Sequence, residues 1–494
     1  MLLSRAGYLI RLLLCVVSVF GLLACGGGSD STSNTNPTTT STAEFHFFVG
    51  NDGATGDELW KTDGTAAGTE LVLDINVGAD SSLPNNMIYI GSTLYFVADG
   101  GVTGKELWKS DGTAGGTVIV KNINTIDAKG SRPNFLVNIN GTLFFIANDG
   151  VNGVELWKSD GTASGTVMVK DINTTSPDGS SPVYLTNVNN MLFFGANGGN
   201  GRELWKSDGT ASGTVLVKDI NITTATASSS PTDFASINGV LYFSANDGVN
   251  EKELWKSDGT SAGTVMLRDI NVTSANASSF PSLFTNINGT IYFSANDGVN
   301  GNELWKTDGT AGGTVLVKDI NSTTGLAHSS PTFLTNVNGV LYFRADDGVS
   351  GRELWKSDGT TAGTEMVLDI NATASAGSNP YYLSNINNKL YFSADDGVNG
   401  FEFWSSDGTA VGTVMVKDIN TTTATADSFP NLISYNYSDA LNSEPLIFND
   451  GRILLHADDG VSGMEVYISD GAVAGTTMMI KDVNPGNGDG SYVQ

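Results

Sequence analysis

Cysteine is nearly missing from this chain: of 494 residues only Cys15 and Cys25 carry a thiol, and both stand in the first 25. The folded part therefore contains no disulfide and no thiol chemistry, and its stability has to come from packing. Histidine is almost as scarce. His46, His328 and His456 are scattered singly, which excludes a zinc helix of the HExxH kind and any repeated histidine ligand set. Basic residues are outnumbered, 25 against 52 acidic ones, for a net charge of −27. Such a surface repels phosphate backbones and anionic lipid, so nucleic acid is not an expected partner. The acidic coat reads as the means by which a repetitive β-protein stays soluble and apart from its copies, and a monomer is expected. No extended stretch shows helical periodicity or helix caps, and glycine is too dense for helices. No serine nucleophile elbow or glycine-rich phosphate loop stands out, and a nucleophile would lack a Cys or His partner.

What the chain has in abundance is one motif. Glu303-Leu304-Trp305-Lys306-Thr307-Asp308-Gly309-Thr310 has counterparts at Trp60, Trp108, Trp157, Trp205, Trp255 and Trp355, with Phe403-Trp404 as an eighth copy and Glu465-Val466-Tyr467 as a worn ninth. All eight tryptophans are spent on it. Successive spacings are 48, 49, 48, 50, 50, 50 and 49 residues, then 63 to Tyr467, and a period of this size marks an array of small supersecondary units. Self-similarity over 44–494 argues for a single domain.

One unit predicts the others. A proline-led apolar segment, 281–287, is followed by Asn288-Gly289, a strong two-residue hairpin signal, and by a strand over 290–296. A glycine-rich loop leads to a strand over 303–307, and the Asp308-Gly309-Thr310 turn leads to a strand over 314–320. Strands such as Leu143-Phe144-Phe145-Ile146-Ala147 are apolar without alternation, so both faces of each sheet are covered. Four-stranded antiparallel sheets covered on both faces and repeated in this way are expected to close radially, because closure protects their edges. The expected fold is an all-β propeller of nine four-stranded blades, with eight blades or an open β array as the alternative. The first unit, from Phe45, lacks a strand one, and Tyr492-Val493 is expected to supply it and close the ring. Residues 435–445 depart from the repeat and are expected to form a loop.

The eight tryptophans are expected to wedge neighbouring blades, each worth on the order of 4 to 5 kcal/mol by buried area. Asp308 and its equivalents are expected to accept N–H bonds in their own turns. Lys306 and Lys318 are expected to pair with nearby acids. Asp297 with Glu303, and Asp347 with Glu353, bracket the glycine loops. They are either turn-stabilising carboxylates or, as the alternative, calcium ligands.

The unit Glu303-Leu304-Trp305, Asp308-Gly309-Thr310, Gly313-Thr314 resembles the ELWxxDGT repeat family, over nearly all of 44–494. That resemblance implies a repeat architecture and says little of activity. More distantly, the strand-Asp-Gly-turn-strand order is similar to the Asp-box hairpins of sialidase propellers and to kelch blades. At the N-terminus, Arg5 and Arg11 flank an apolar run over 12–23 that is short for a membrane span. It ends in Leu22-Leu23-Ala24-Cys25, which resembles a bacterial lipobox. The resemblance implies a signal peptide over 1–24, acylation of Cys25, and, because Gly26 follows where a retention signal has Asp, sorting to the outer membrane or cell surface. Residues 25–43 then form a tether rich in Gly, Ser and Thr, reaching roughly 25 Å as a random coil. The functional expectation is a membrane-tethered extracytoplasmic scaffold for binding or adhesion, with a protein or polysaccharide partner and no cofactor. The alternatives are a carbohydrate-active propeller enzyme and a calcium-stabilised adhesive domain.

Overall fold

A computed structural model describes residues 44–274, 277–373, 376–434, 445–486 and 488–491. The leader, Cys25 and the tether, most of the 435–445 insertion, and Tyr492-Val493 lie outside the described residues. Among the described residues there is no helix, and the strands form nine antiparallel sheets, eight of four strands and one of three. The protein is a nine-bladed β-propeller. We number the blades in chain order: 46–73, 85–121, 134–170, 183–218, 232–268, 282–318, 332–368, 381–417 and 431–481.

Blade six shows the plan. Its strands are Ser282–Ile287, Thr290–Asn296, Asn302–Thr307 and Val315–Lys318, joined in that order. Two turns close it at one end. Asn288 adopts a positive φ beside Gly289 to make the first hairpin, as a two-residue turn requires. In the second, Asp308 Oδ1 accepts from the N–H of Thr310 at 2.9 Å and its hydroxyl at 2.7 Å. The first strands of successive blades, from two to nine, lie beside one another, so strand one lines the central channel. Strands two and three are buried on both faces, which accounts for their unbroken apolar runs.

The core is nine separate interblade clusters. Leu304 of blade six and Trp355 of blade seven share one of them, Leu354 and Trp404 the next. Each tryptophan thus faces the preceding blade and each leucine of the motif faces the following one. Six of the eight indoles are buried, and Trp108 and Trp205 are partly so, which places the rings between sheets and not on a surface. The motif lysines complete the contact in a way the sequence reading did not foresee. They donate mainly to carbonyl oxygens of the next blade: Lys306 Nζ to Gly359 O at 2.8 Å, and Lys318 Nζ to Thr364 O at 2.7 Å while lying 5.5 Å from the Trp355 ring centre. Among the described residues only Lys61 and Lys356 of the motif lysines reach a carboxylate, each on the last strand of its own blade.

The same contact closes the ring. Lys481 Nζ, in blade nine, donates to Thr69 O at 2.8 Å and lies 5.7 Å from the Trp60 ring centre. Phe48 and Trp60 pack with Ile433, Leu446, Phe448 and Ile468. Blade one is the three-stranded sheet, and the C-terminal segment approaches its open edge, with Asn51 N–H bonded to Gly490 O at 2.8 Å and Gly50 bridged to Ser491. Blade nine has a first strand of only two residues, Asn431–Leu432. Truncation before Gly490 should therefore lower the melting temperature by several degrees while the far-ultraviolet circular dichroism keeps its shape; an unchanged melting temperature would show that the seam does not depend on this segment.

Candidate functional site

Two faces of the ring differ in kind. One carries the Asn-Gly and Asp-Gly-Thr turns, repeated almost identically. The other carries the glycine-rich loops between strands two and three, together with the crossovers from strand four to the next blade. We call it the crossover face, and the motif glutamates hold it together.

Glu303 is fully buried. Its Oε2 accepts from Ile320 N–H at 2.9 Å and from the Ser329 hydroxyl at 2.5 Å, and its Oε1 from Ser329 N–H at 2.8 Å. One carboxylate thus ties the end of strand four to the residue that opens the way into blade seven. Glu353 repeats this with Ile370 and Ser378. At the seam Gly490 stands in place of the serine, and Glu465 Oε1 is buried without a partner. The loop aspartates do separate work: Asp297 accepts from Val299 N–H, Asn300 N–H and the Asn300 amide, and Asp347 from Val349 N–H and Ser350 N–H. Blades two and four, with Gly100 and Gly198 where the others have Asp, keep their glutamate braces. Each of the four calcium candidates thus accepts hydrogen bonds from the protein's own donors, and among the described residues no three His, Cys, Asp or Glu side chains gather as a metal site would require. The string Gly259-Thr260-Ser261-Ala262-Gly263 spells G-x-S-x-G, but it joins two strands of a hairpin, so it is no nucleophile elbow.

Burial pushes the brace carboxyls up, to about 7 for Glu253, Glu303, Glu402 and Glu465, with nearby aspartates such as Asp319 adding to the effect. The hairpin aspartates go the other way: the Thr310 hydroxyl and N–H hold Asp308 below its ordinary 3.8.

Inside the channel the regularity breaks. In blades two to eight the second residue of strand one has a positive φ, at a point where the pairing register slips. A bulge of this kind re-aims a side chain, and a non-glycine residue there costs about 1–2 kcal/mol. The residues are Asn86, Phe135, Tyr184, Asp233, Leu283, Phe333 and Tyr382, all different in neighbouring blades. Some touch: Phe135 and Tyr184 ring centres are 6.4 Å apart, Phe333 and Tyr382 also 6.4 Å. Tyr184 stacks on Phe234 at 5.9 Å and is 40% exposed. Asp233 is held by burial above the ordinary carboxylate range.

Blade seven adds a charge. Arg344, on strand two, lies with its guanidinium carbon 4.9 Å from the Phe333 ring centre and 4.5 Å from that of Tyr381 in blade eight. Sequence reasoning passed over both the bulge residues and Arg344. The signal for the latter was present, since Tyr342-Phe343-Arg344-Ala345 stands where blades five, six and eight read Tyr-Phe-Ser-Ala.

No family model matches the chain, and no curated protein is matched by it. Among solved structures, puromycin hydrolase (S511A mutant) is similar at 13% identity and a TM-score of 0.39, over 76% of this chain and 58% of that one. Prolyl oligopeptidase B from Galerina marginata is similar at 12% identity and 0.36, over 76% and 54%. The chain therefore spans a little over half the length of the structures it matches.

The raised glutamate values give a pH signature. Below the ordinary 4.5 the brace carboxyls are protonated in both folded and unfolded chains. Between there and about 7 the unfolded chain ionises while the fold holds the proton, so stability is lost as pH rises. The hairpin aspartates contribute above 3.8 and lose that contribution as pH falls through their depressed values. The melting temperature should therefore peak near pH 4–5 and fall toward pH 8, and Glu303→Gln should flatten the fall where the exposed Glu70→Gln leaves it unchanged. Glu303→Ala, which strands three buried donors, should cost about 3 kcal/mol in denaturant unfolding. A melting temperature that rises from pH 5 to 8 would contradict the assignment.

Proposed function

We propose that the chain is a lipid-tethered, extracytoplasmic β-propeller that works as a binding scaffold, with the channel mouth on the crossover face as its recognition surface. The observation that carries this reading is the contrast between a frame repeated nine times and one position per blade that is not repeated. The brace, the wedge and the turns are nearly the same in every unit, whereas the bulged residue of the inner strand changes from amide to aromatic to carboxylate to aliphatic. Phe135, Leu283 and Phe333 also lie against the interblade clusters, but the seven positions share one backbone trap and no common side chain. They present a varied surface on a rigid support, as binding positions do.

The tether belongs to the same reading. Acylation of Cys25 would hold the ring at a membrane, about 25 Å of coil would free its orientation, and the resemblance to the ELWxxDGT repeats is consistent with a surface location. The partner is a polysaccharide or a protein. A carbohydrate-active role keeps one observation in its favour, the half-buried Asp233 beside Tyr184. A calcium-stabilised role is served less well, because Glu303 and Glu353 spend their oxygens on backbone and serine donors.

A glycan and protein-partner screen with the full chain tests the proposal. Tyr184→Ala and Tyr382→Ala should each weaken whatever is captured by about tenfold, as removal of an aromatic anchor does, with the melting temperature nearly unchanged for the exposed Tyr184 and lowered slightly for the half-buried Tyr382. Binding that survives both substitutions would move the recognition surface elsewhere. Cys25→Ala should release the protein from the membrane fraction.

A further inference from the structure

Strand two follows one alternating plan in every blade. The positions of Leu341, Phe343 and Ala345 face the preceding blade, and those of Tyr342 and Arg344 face the following one. Where blade seven has Arg344, other blades have Val97, Ile146, Gly195, Ser244, Ser294 and Ser393. Blade nine has His456 there, bonded to Ser491, and these six interfaces are filled by a small or apolar side chain. Arg344 exceeds what fills those six.

It is also poorly compensated. Only 8% of the residue is exposed. Nε donates to Thr332 Oγ1 at 3.0 Å, but Nη1 is closed off from solvent and has no acceptor. The charged group beside it is Arg352, of the same sign, and across the interface the Tyr381 side chain gives it one further hydrogen-bonding partner. Among the described residues no carboxylate forms an ion pair with it. Stacking between two rings returns about 0.5–2 kcal/mol, whereas a buried cation without a partner costs several. An arrangement with that deficit is relieved by an anion.

We propose that Arg344 anchors a carboxylate of an acidic saccharide bound at the channel mouth between blades seven and eight. The inference rests on the binding reading above and gives it a ligand class. Phe333 and Tyr381 meet the guanidinium from neighbouring sides, with their own ring centres 5.8 Å apart and their planes at 81°, and a planar carboxylate can meet the guanidinium edge with two parallel hydrogen bonds. Tyr381, against the guanidinium, is half-buried. The saccharide class follows from the aromatic track beside the charge. Tyr381 lies 5.8 Å from Phe401, and Phe401 stacks at 5.7 Å on Phe429, which is 54% exposed. Phe429 is the exposed end of this series, Tyr381 and Phe401 being half-buried, and it offers an apolar face to a sugar ring.

Calorimetry on the full chain tests this with oligogalacturonate, its methyl ester and a sulfated dextran. The wild type should bind oligogalacturonate at least about tenfold more tightly than the ester, a gap of about 1.4 kcal/mol. Arg344→Ser, the residue found at position 294, should abolish that preference and leave binding of the ester unchanged, and Arg344→Lys should restore part of it. Should the serine variant fold poorly, the lysine variant still decides the matter, since it keeps the charge and loses the planar edge. A preference that survives in Arg344→Ser, or equal binding of the sulfated polymer, would overturn the carboxylate assignment. So would a double-mutant cycle coupling Arg344 in stability to Asp439 or Glu444, because the guanidinium would then have an internal partner. If no saccharide binds while a screened partner still depends on Tyr184, this inference fails and the scaffold reading stands; if nothing depends on Tyr184, both fail.

Discussion

A carboxylate without a cation organises this propeller. In blades one to seven the glutamate that opens the repeated motif is removed from water and satisfied by donors that lie far along the chain, as with Ile320 and Ser329 on Glu303. Burying such a group unpaired would cost several kcal/mol. With three donors converging on it, it becomes a junction that sets where one blade ends and how the chain enters the next. The crossover loops owe their course to it. They carry few apolar residues and have no core of their own, so backbone and serine bonds to a single buried side chain do the positioning.

The second constraint is the seam between blades. A tryptophan from one sheet, a leucine and lysine from its neighbour, and a turn carbonyl recur around the ring, and Lys481 on Thr69 and Trp60 shows the same contact across the two chain ends. Because each seam closes locally, stability is spread over nine small cores and not concentrated in one. The weak places are where the repeat runs out: blade one with three strands, a two-residue first strand in blade nine, and Gly490 in place of the bracing serine.

Symmetry also tells where to look for function. A residue repeated nine times belongs to the frame, and one that appears once has been freed from it or placed there for something else. His456 is such a case resolved inside the fold: buried, pushed down to about 3 by desolvation, and bonded to Ser491 at 2.8 Å. Arg344 is the case the fold does not resolve. It stands at the position equivalent to His456, with two rings against it and no acceptor at Nη1.

The sequence by itself determined the blade. Asn288-Gly289 set a hairpin, Asp308-Gly309-Thr310 set another, and the expected strand over 290–296 is the observed one; the even tryptophan spacing announced how many times the plan repeats. These features are local, governed by turn geometry and by which side chains tolerate burial on both faces. Tertiary structure alone decided the rest. That Glu303 is a brace depends on donors 17 and 26 residues away, that Lys306 serves the neighbouring blade depends on a turn 53 residues on, and that Arg344 is left wanting an anion depends on a ring from blade eight. None of these can be read from neighbours in the chain, because each is a matter of what long-range closure brings within hydrogen-bonding distance.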